Sequence, residues 1–162
     1  IEQHTHSVDI MRYLAGDVAT VYAAAATALL HDAPNLDIAD VNAASVTFVN
    51  GAVGSIVNTC AVSGPQMPNL SNYVHVVARD LVLAAAAGSL TVLRPGQERQ
   101  EIKAERDDSN YRLNAAFIHA IETGDRSEIR SPYSDSLRTH AITVGAVQSA
   151  REHRPINLAE LL

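Results

Sequence analysis

Glu2, His4, His6 and Asp9 fall within the first nine residues and concentrate the groups able to move a proton there. On a helix, positions three and four apart share a face, so Glu2, His6 and Asp9 can converge. An imidazole titrates near pH 6.5 when unperturbed, and a neighbouring carboxylate fixes its tautomer and stabilises its charged form. Such a trio suits general acid–base chemistry. The plainer alternative is a helix N-terminus, where acids are favoured and surface histidines are tolerated. A metal site built on His4, His6 and Asp9 competes, because imidazole and carboxylate suit zinc or iron. Residues two apart diverge by about 200° around a helix, however, so the two imidazoles separate and no metal is expected.

Other candidates carry less. His75 falls in a strand pattern, while His119 and His140 fall in helical ones, and each reads as a hydrogen-bonded structural residue. Cys60 is the only cysteine, which excludes an internal disulfide, and it reads as a small buried apolar group. The only lysine is Lys103 against eleven arginines. No glycine-rich phosphate loop and no Gly-x-Ser-x-Gly elbow occurs, so no nucleotide site is expected in this chain.

The elements that must position the trio follow from periodicity. His4 to Leu14 reads as a helix, with Val8, Met11, Leu14 and Ala15 at three- and four-residue steps and Gly16 as its stop. Val18, Thr20 and Tyr22 then alternate as in a strand, and Asp32 to Asp40 reads as a polar loop. Ser45 to Val49 and Ala52 to Cys60 flank Asn50-Gly51, which predicts a hairpin with a two-residue type I′ turn. Ser63 to Asn72 is loop; Tyr73 to Leu83, Ser89 to Leu93 and Glu101 to Ala104 are strands. The alanine runs 23–26 and 84–87 read as buried filler. Helical spacing returns in Asp108 to Thr123, with Leu113, Phe117 and Ile121 on one face, and in Asp135 to His153. The expected fold is α+β, an open, mostly antiparallel sheet with helices packed on one face.

At 162 residues, 47% hydrophobic and with a net charge of −6, the chain can bury a core. With 12 Lys+Arg against 18 Asp+Glu and no basic run, neither a nucleic acid nor a membrane is expected as a partner. The chain opens on Ile1 rather than Met, which suggests a piece of something longer.

The order of motifs is similar to the Gfo/Idh/MocA oxidoreductases. Glu2-Gln3-His4-Thr5-His6-Ser7-Val8-Asp9 with Arg12-Tyr13-Leu14-Ala15-Gly16-Asp17-Val18 resembles that family's acid–histidine–acid helix. Phe48-Val49-Asn50-Gly51-Ala52 resembles its hairpin, Ala116 to Gly124 its late helix, and Ser131-Pro132-Tyr133-Ser134-Asp135 the opening of its last helix. Gln148 to Ile156 resembles the end of that helix and the final strand.

The resemblance implies that residues 1–162 are a C-terminal substrate-binding and oligomerisation domain without its N-terminal Rossmann domain. It implies an NAD(P)-dependent oxidoreductase acting on a sugar, cyclitol or related polyol. His6 would be the proton carrier in the intact parent, Glu2 a second catalytic group, and Asp9 a substrate-holding or imidazole-orienting acid. Glu2 stands where many members carry Asp, and Val77 to Leu81 where many carry glycines. NAD or NADP would serve the intact parent and none this chain alone, which would be catalytically silent. A homo-oligomer through the open sheet face and a cytoplasmic location are expected; the alternative is a non-catalytic oligomerisation module.

Overall fold

Hydrophobic alternation and helical spacing resolve into three helices and eight strands in the computed structural model, which describes residues 5–30, 32, 34–35, 38–59, 73–86, 88–104 and 108–162. Glu2, His4 and Cys60 lie outside the described residues. The described residues within Ile1–Pro65 and Ser131–Leu162 form one compact unit, and those within Gln66–Arg130 form another. All described strand pairs are antiparallel, so the α+β reading holds, with the strands divided between two four-stranded sheets.

In the first unit, α1 (Thr5–Ala15) leads into β1 (Val18–Ala26), β2 (Val41–Phe48) and β3 (Val53–Thr59); α3 (Tyr133–Glu152) and β8 (Ile156–Asn157) close it. The sheet order is β3-β2-β1-β8. Its inner face and the two helices enclose Val8, Val18, Val21, Val46, Phe48, Ile142, Ile156 and Leu158. The first alanine run is not all buried filler: Ala23 is buried, but Ala24 lies on the opposite face and Ala25 and Ala26, at the end of the strand beyond the core, are exposed too. Asp40, within the span read as an ordinary polar loop, is buried and accepts hydrogen bonds from the backbone amides of Ala28, Leu29 and Leu30. The Ala28 bond leads in holding its carboxyl below the usual range, against the opposing pull of burial.

The hairpin is present, but its turn differs from expectation. Asn50 does not have positive φ; only Gly51 does, at 88°. Gly51 N donates to Phe48 O at 3.0 Å and Phe48 N to Ala52 O at 2.9 Å, so the loop is the three residues Val49, Asn50 and Gly51. A type I turn followed by a glycine bulge replaces the two-residue mirror turn. The reason is that the Asn50 side chain is engaged elsewhere, as described below.

Helix α3 crosses β1 closely at Gly145. A Cβ there would sit 2.8 Å from Leu158 Cδ2 and 3.0 Å from Val21 Cγ1. Both neighbours are buried, at 3% and 0% exposure, and have little room to yield. Alanine gains about 1 kcal/mol in helix propensity but costs about 1–3 kcal/mol in overpacking. Gly145→Ala is therefore expected to lower the midpoint of thermal unfolding, and an unchanged or raised midpoint would show that the helix can lift off the sheet without cost.

In the second unit, β4 (Val74–Ala78), β5 (Leu81–Ala86), β6 (Ser89–Leu93) and β7 (Gln100–Lys103) form a meander, followed by α2 (Ser109–Thr123). The span read as one strand from Tyr73 to Leu83 is two, separated by a turn at Arg79-Asp80, a pair lacking the glycine or proline that usually announces one. Asp108 caps α2 by accepting from Tyr111 N at 3.0 Å, and Gly124 ends it at φ 77°. The face of Leu113, Phe117 and Ile121 is exposed in this structure.

Candidate functional site

The first described turn of α1 presents His6 to solvent, with Asp9 three residues on along the same face. Asp9 does not stand alone: its Oδ1 accepts a 2.7 Å hydrogen bond from Thr139 Oγ1 on α3. Its side chain is nevertheless 40% exposed, leaving surface for a further partner. One helical turn below, Arg12 is buried and organises the remainder.

The Arg12 guanidinium reaches three residues. Nη1 donates to Thr139 Oγ1 at 2.8 Å, Nη2 to Asp17 Oδ1 at 2.8 Å, and Nη2 to Asp135 Oδ1 at 2.9 Å. Nη1 also donates to the backbone oxygen of Asp135 at 3.2 Å. A planar fork of five donors suits this arrangement in a way a lysine would not. Asp17 is held from a second side by Arg138 Nη1 at 2.6 Å, and Ser131 Oγ donates to Asp135 Oδ2 at 3.3 Å. The network therefore locks the α1–β1 junction to the first two turns of α3.

Its charges reinforce one another. The hydrogen bond from Arg12 leads in holding the Asp17 and Asp135 carboxyls below their usual range, outweighing the opposing effect of burial. Arg12 is in turn raised above its ordinary value, chiefly by Asp135.

A second tie reaches the same last turn of α1 from the hairpin. Asn50 Nδ2 donates to Ala15 O, the last carbonyl of the helix, at 2.9 Å, and Asn50 Oδ1 accepts from Ala52 N at 3.0 Å. Val49 N donates to Asp17 O at 2.9 Å. Orphan carbonyls at a helix C-terminus need such donors. The hairpin and α3 thus hold one helix from two directions, and His6 rides on it.

Of the three sequence-derived site residues, His6 and Asp9 are brought to one face, and Glu2 lies outside the described residues. Sequence reasoning gave no role to Thr139 or to the Arg12 side chain, which meet across 127 positions, and read Asn50 only as a turn residue. Among the described residues no group of three or more His, Cys, Asp or Glu side chains could hold a metal. Nor is any described helix long and apolar enough to cross a membrane. Lys103 lies exposed on β7, in the other unit.

Solved structures share this fold. An oxidoreductase from Agrobacterium radiobacter, solved with NAD+, L-tartaric acid and magnesium, superposes with a TM-score of 0.79 at 21% identity, over 98% of this chain and 48% of that one. A levoglucosan dehydrogenase in complex with NADH and levoglucosan gives 0.77 at 18%, over 95% and 48%. The WlbA dehydrogenase from Bordetella pertussis, in complex with NADH and UDP-GlcNAcA, gives 0.65 at 23%, over 96% and 43%. The chain thus spans about half the length of these relatives, and the likeness at such identity is one of fold. A search of curated proteins finds no match. The family described as the GFO/IDH/MocA C-terminal domain matches residues 1–81. That match and the ordered motifs agree with the fold, and the chain belongs to the GFO/IDH/MocA C-terminal domain family.

Proposed function

We propose that residues 1–162 serve as the substrate-binding and oligomerisation domain of an NAD(P)-dependent oxidoreductase acting on a sugar, cyclitol or related polyol. The observation that carries this reading is an exposed imidazole, His6, on a helix whose last turn is tied to α3 and to the hairpin, in a chain of this family. Relatives described with NADH and levoglucosan, or with NADH and UDP-GlcNAcA, support the cofactor and the substrate class.

The dinucleotide does not fit the residues present. A dinucleotide crevice needs parallel strands and a glycine-rich turn entering a helix, whereas every described strand pair here is antiparallel. The cofactor would therefore be held by a Rossmann domain elsewhere in the parent, and this chain by itself would be catalytically silent. Its contribution is to the proton and the substrate. A ring nitrogen of His6 accepts the proton of a substrate hydroxyl in one direction and returns it in the other. Asp9 accepts a hydrogen bond from a neighbouring hydroxyl of the polyol, and Glu2 assists His6 as a second carboxylate. The test is turnover of the His6→Ala chain joined to a nucleotide-binding domain of this family. Undiminished turnover would remove His6 from the mechanism.

A second reading, a non-catalytic oligomerisation module, is favoured by the outer face of the first sheet. Tyr22, Ser45 and Ser55 lie in one register row, flanked by Val53 and Val57, which are 80% and 75% exposed. No charged side chain interrupts the stretch, so the face suits burial against a second copy. Light scattering on the isolated chain should give a dimer or larger, and Val57→Glu should shift it to monomer. A wild-type monomer at high concentration would count against assembly through this face.

A further inference from the structure

Asn50 is the only asparagine in the chain followed by glycine. That pair is chemically labile, because the glycine amide nitrogen can attack the asparagine Cγ without steric hindrance. The bond from Gly51 N to Asn50 Cγ forms, the Cγ–Nδ2 bond breaks, and the proton lost from Gly51 N leaves with Nδ2 as ammonia. Water then opens the resulting succinimide to aspartate or isoaspartate, so no oxidant or other reactant is needed. Both residues are exposed, and water has access.

The fold restrains both reactants. The nucleophile, Gly51 N, donates to Phe48 O at 3.0 Å. The electrophile is held on either side, by Asn50 Nδ2 to Ala15 O at 2.9 Å and by Ala52 N to Asn50 Oδ1 at 3.0 Å. Ring closure requires the turn to open and these bonds to break, so local opening governs the reaction.

The product cannot restore the link. A carboxylate at position 50 has no N–H to give to Ala15 O, and it places negative charge at the C-terminal, negative end of α1. We propose that Asn50 is a spontaneous modification site, held closed by the hairpin's hydrogen bonds, whose conversion through a succinimide releases the hairpin from α1.

The test uses the whole chain. Incubated at mildly alkaline pH with and without unfolding urea, and followed by peptide mass mapping and isoaspartate assay, position 50 should convert at least about tenfold faster in urea. The Asn50→Asp variant, which represents the aspartate product, should unfold about 3 °C lower. Its Val49 amide, which donates to Asp17 O, should also exchange with deuterium faster than in wild type. Equal rates with and without urea, or no conversion at position 50 in either, would overturn the protected site. A variant matching wild type in both unfolding and exchange would overturn the release of α1.

Discussion

Arg12→Ala is expected to lower the stability of the first unit by about 2–4 kcal/mol. The guanidinium, 8% exposed, makes hydrogen bonds to Asp17, Asp135 and Thr139. Its removal takes one partner each from Asp17, Asp135 and Thr139, while Arg138 still holds Asp17 and Ser131 still holds Asp135. Breaking a fully buried ion pair costs about 3–5 kcal/mol. Asp17 and Asp135 are 42% and 38% exposed, so water recovers part of that loss and the lower range applies. Thermal or urea unfolding measures it, and a loss below about 1 kcal/mol would show the network to be a surface feature. Arg12→Lys should recover only a part, since an ammonium's three N–H groups radiate from one nitrogen and cannot span the positions that Nη1 and Nη2 reach separately.

The same cluster sets an acid limit. Asp17 and Asp135 titrate lower folded than unfolded, with Arg12 as the first cause. Groups shifted this way add stability that is complete above the unfolded value, about pH 3.9, and lost as the pH falls through the lowered folded value. The wild-type unfolding midpoint should therefore drop below about pH 4, and Arg12→Ala should flatten that drop. A parallel pH dependence in both proteins would place the sensitivity in other carboxylates.

The second large effect concerns turnover. In the chain joined to a nucleotide-binding domain, His6→Ala is expected to reduce kcat by about 10²–10⁴-fold, the usual contribution of a positioned acid–base group. KM should change little, because an exposed imidazole that carries a proton contributes mostly in the transition state. Added imidazole should restore part of the rate to the alanine variant by occupying the vacated space. A fall in kcat without rescue, accompanied by a raised KM, would instead make His6 a binding group.

Local signals were legible in the sequence and long-range ones were not. Helix α1 is expected over His4 to Leu14 and is described over Thr5–Ala15; α2 is expected over Asp108 to Thr123 and runs Ser109–Thr123, with Asp108 outside it as the cap. Both follow from spacing and capping, which need only neighbouring residues. The turn type at Asn50-Gly51 was misread because the dipeptide preference assumes a free Asn side chain, whereas Ala15, 35 positions away, claims it. Arg12 looked like an ordinary helix residue. Its partners Asp135 and Thr139 are 123 and 127 positions distant, and no local pattern connects them. His6 and Asp9 stand out as candidates because their spacing is local; that Asp9 shares Thr139 with Arg12 is visible only in three dimensions.

The discontinuity of the first unit has a consequence for synthesis. Helix α1 leaves the ribosome before the acid and hydroxyl that lock Arg12, which emerge more than a hundred residues later. The intervening Gln66–Arg130 unit can organise itself first. Closing so long a loop carries an entropic penalty that grows only as the logarithm of its length, so the delay is chiefly one of waiting for chain. Until α3 arrives, a buried-to-be arginine and its apolar neighbours remain open to the cell. A nascent chain stalled before Ser131 would be an obvious client for a chaperone.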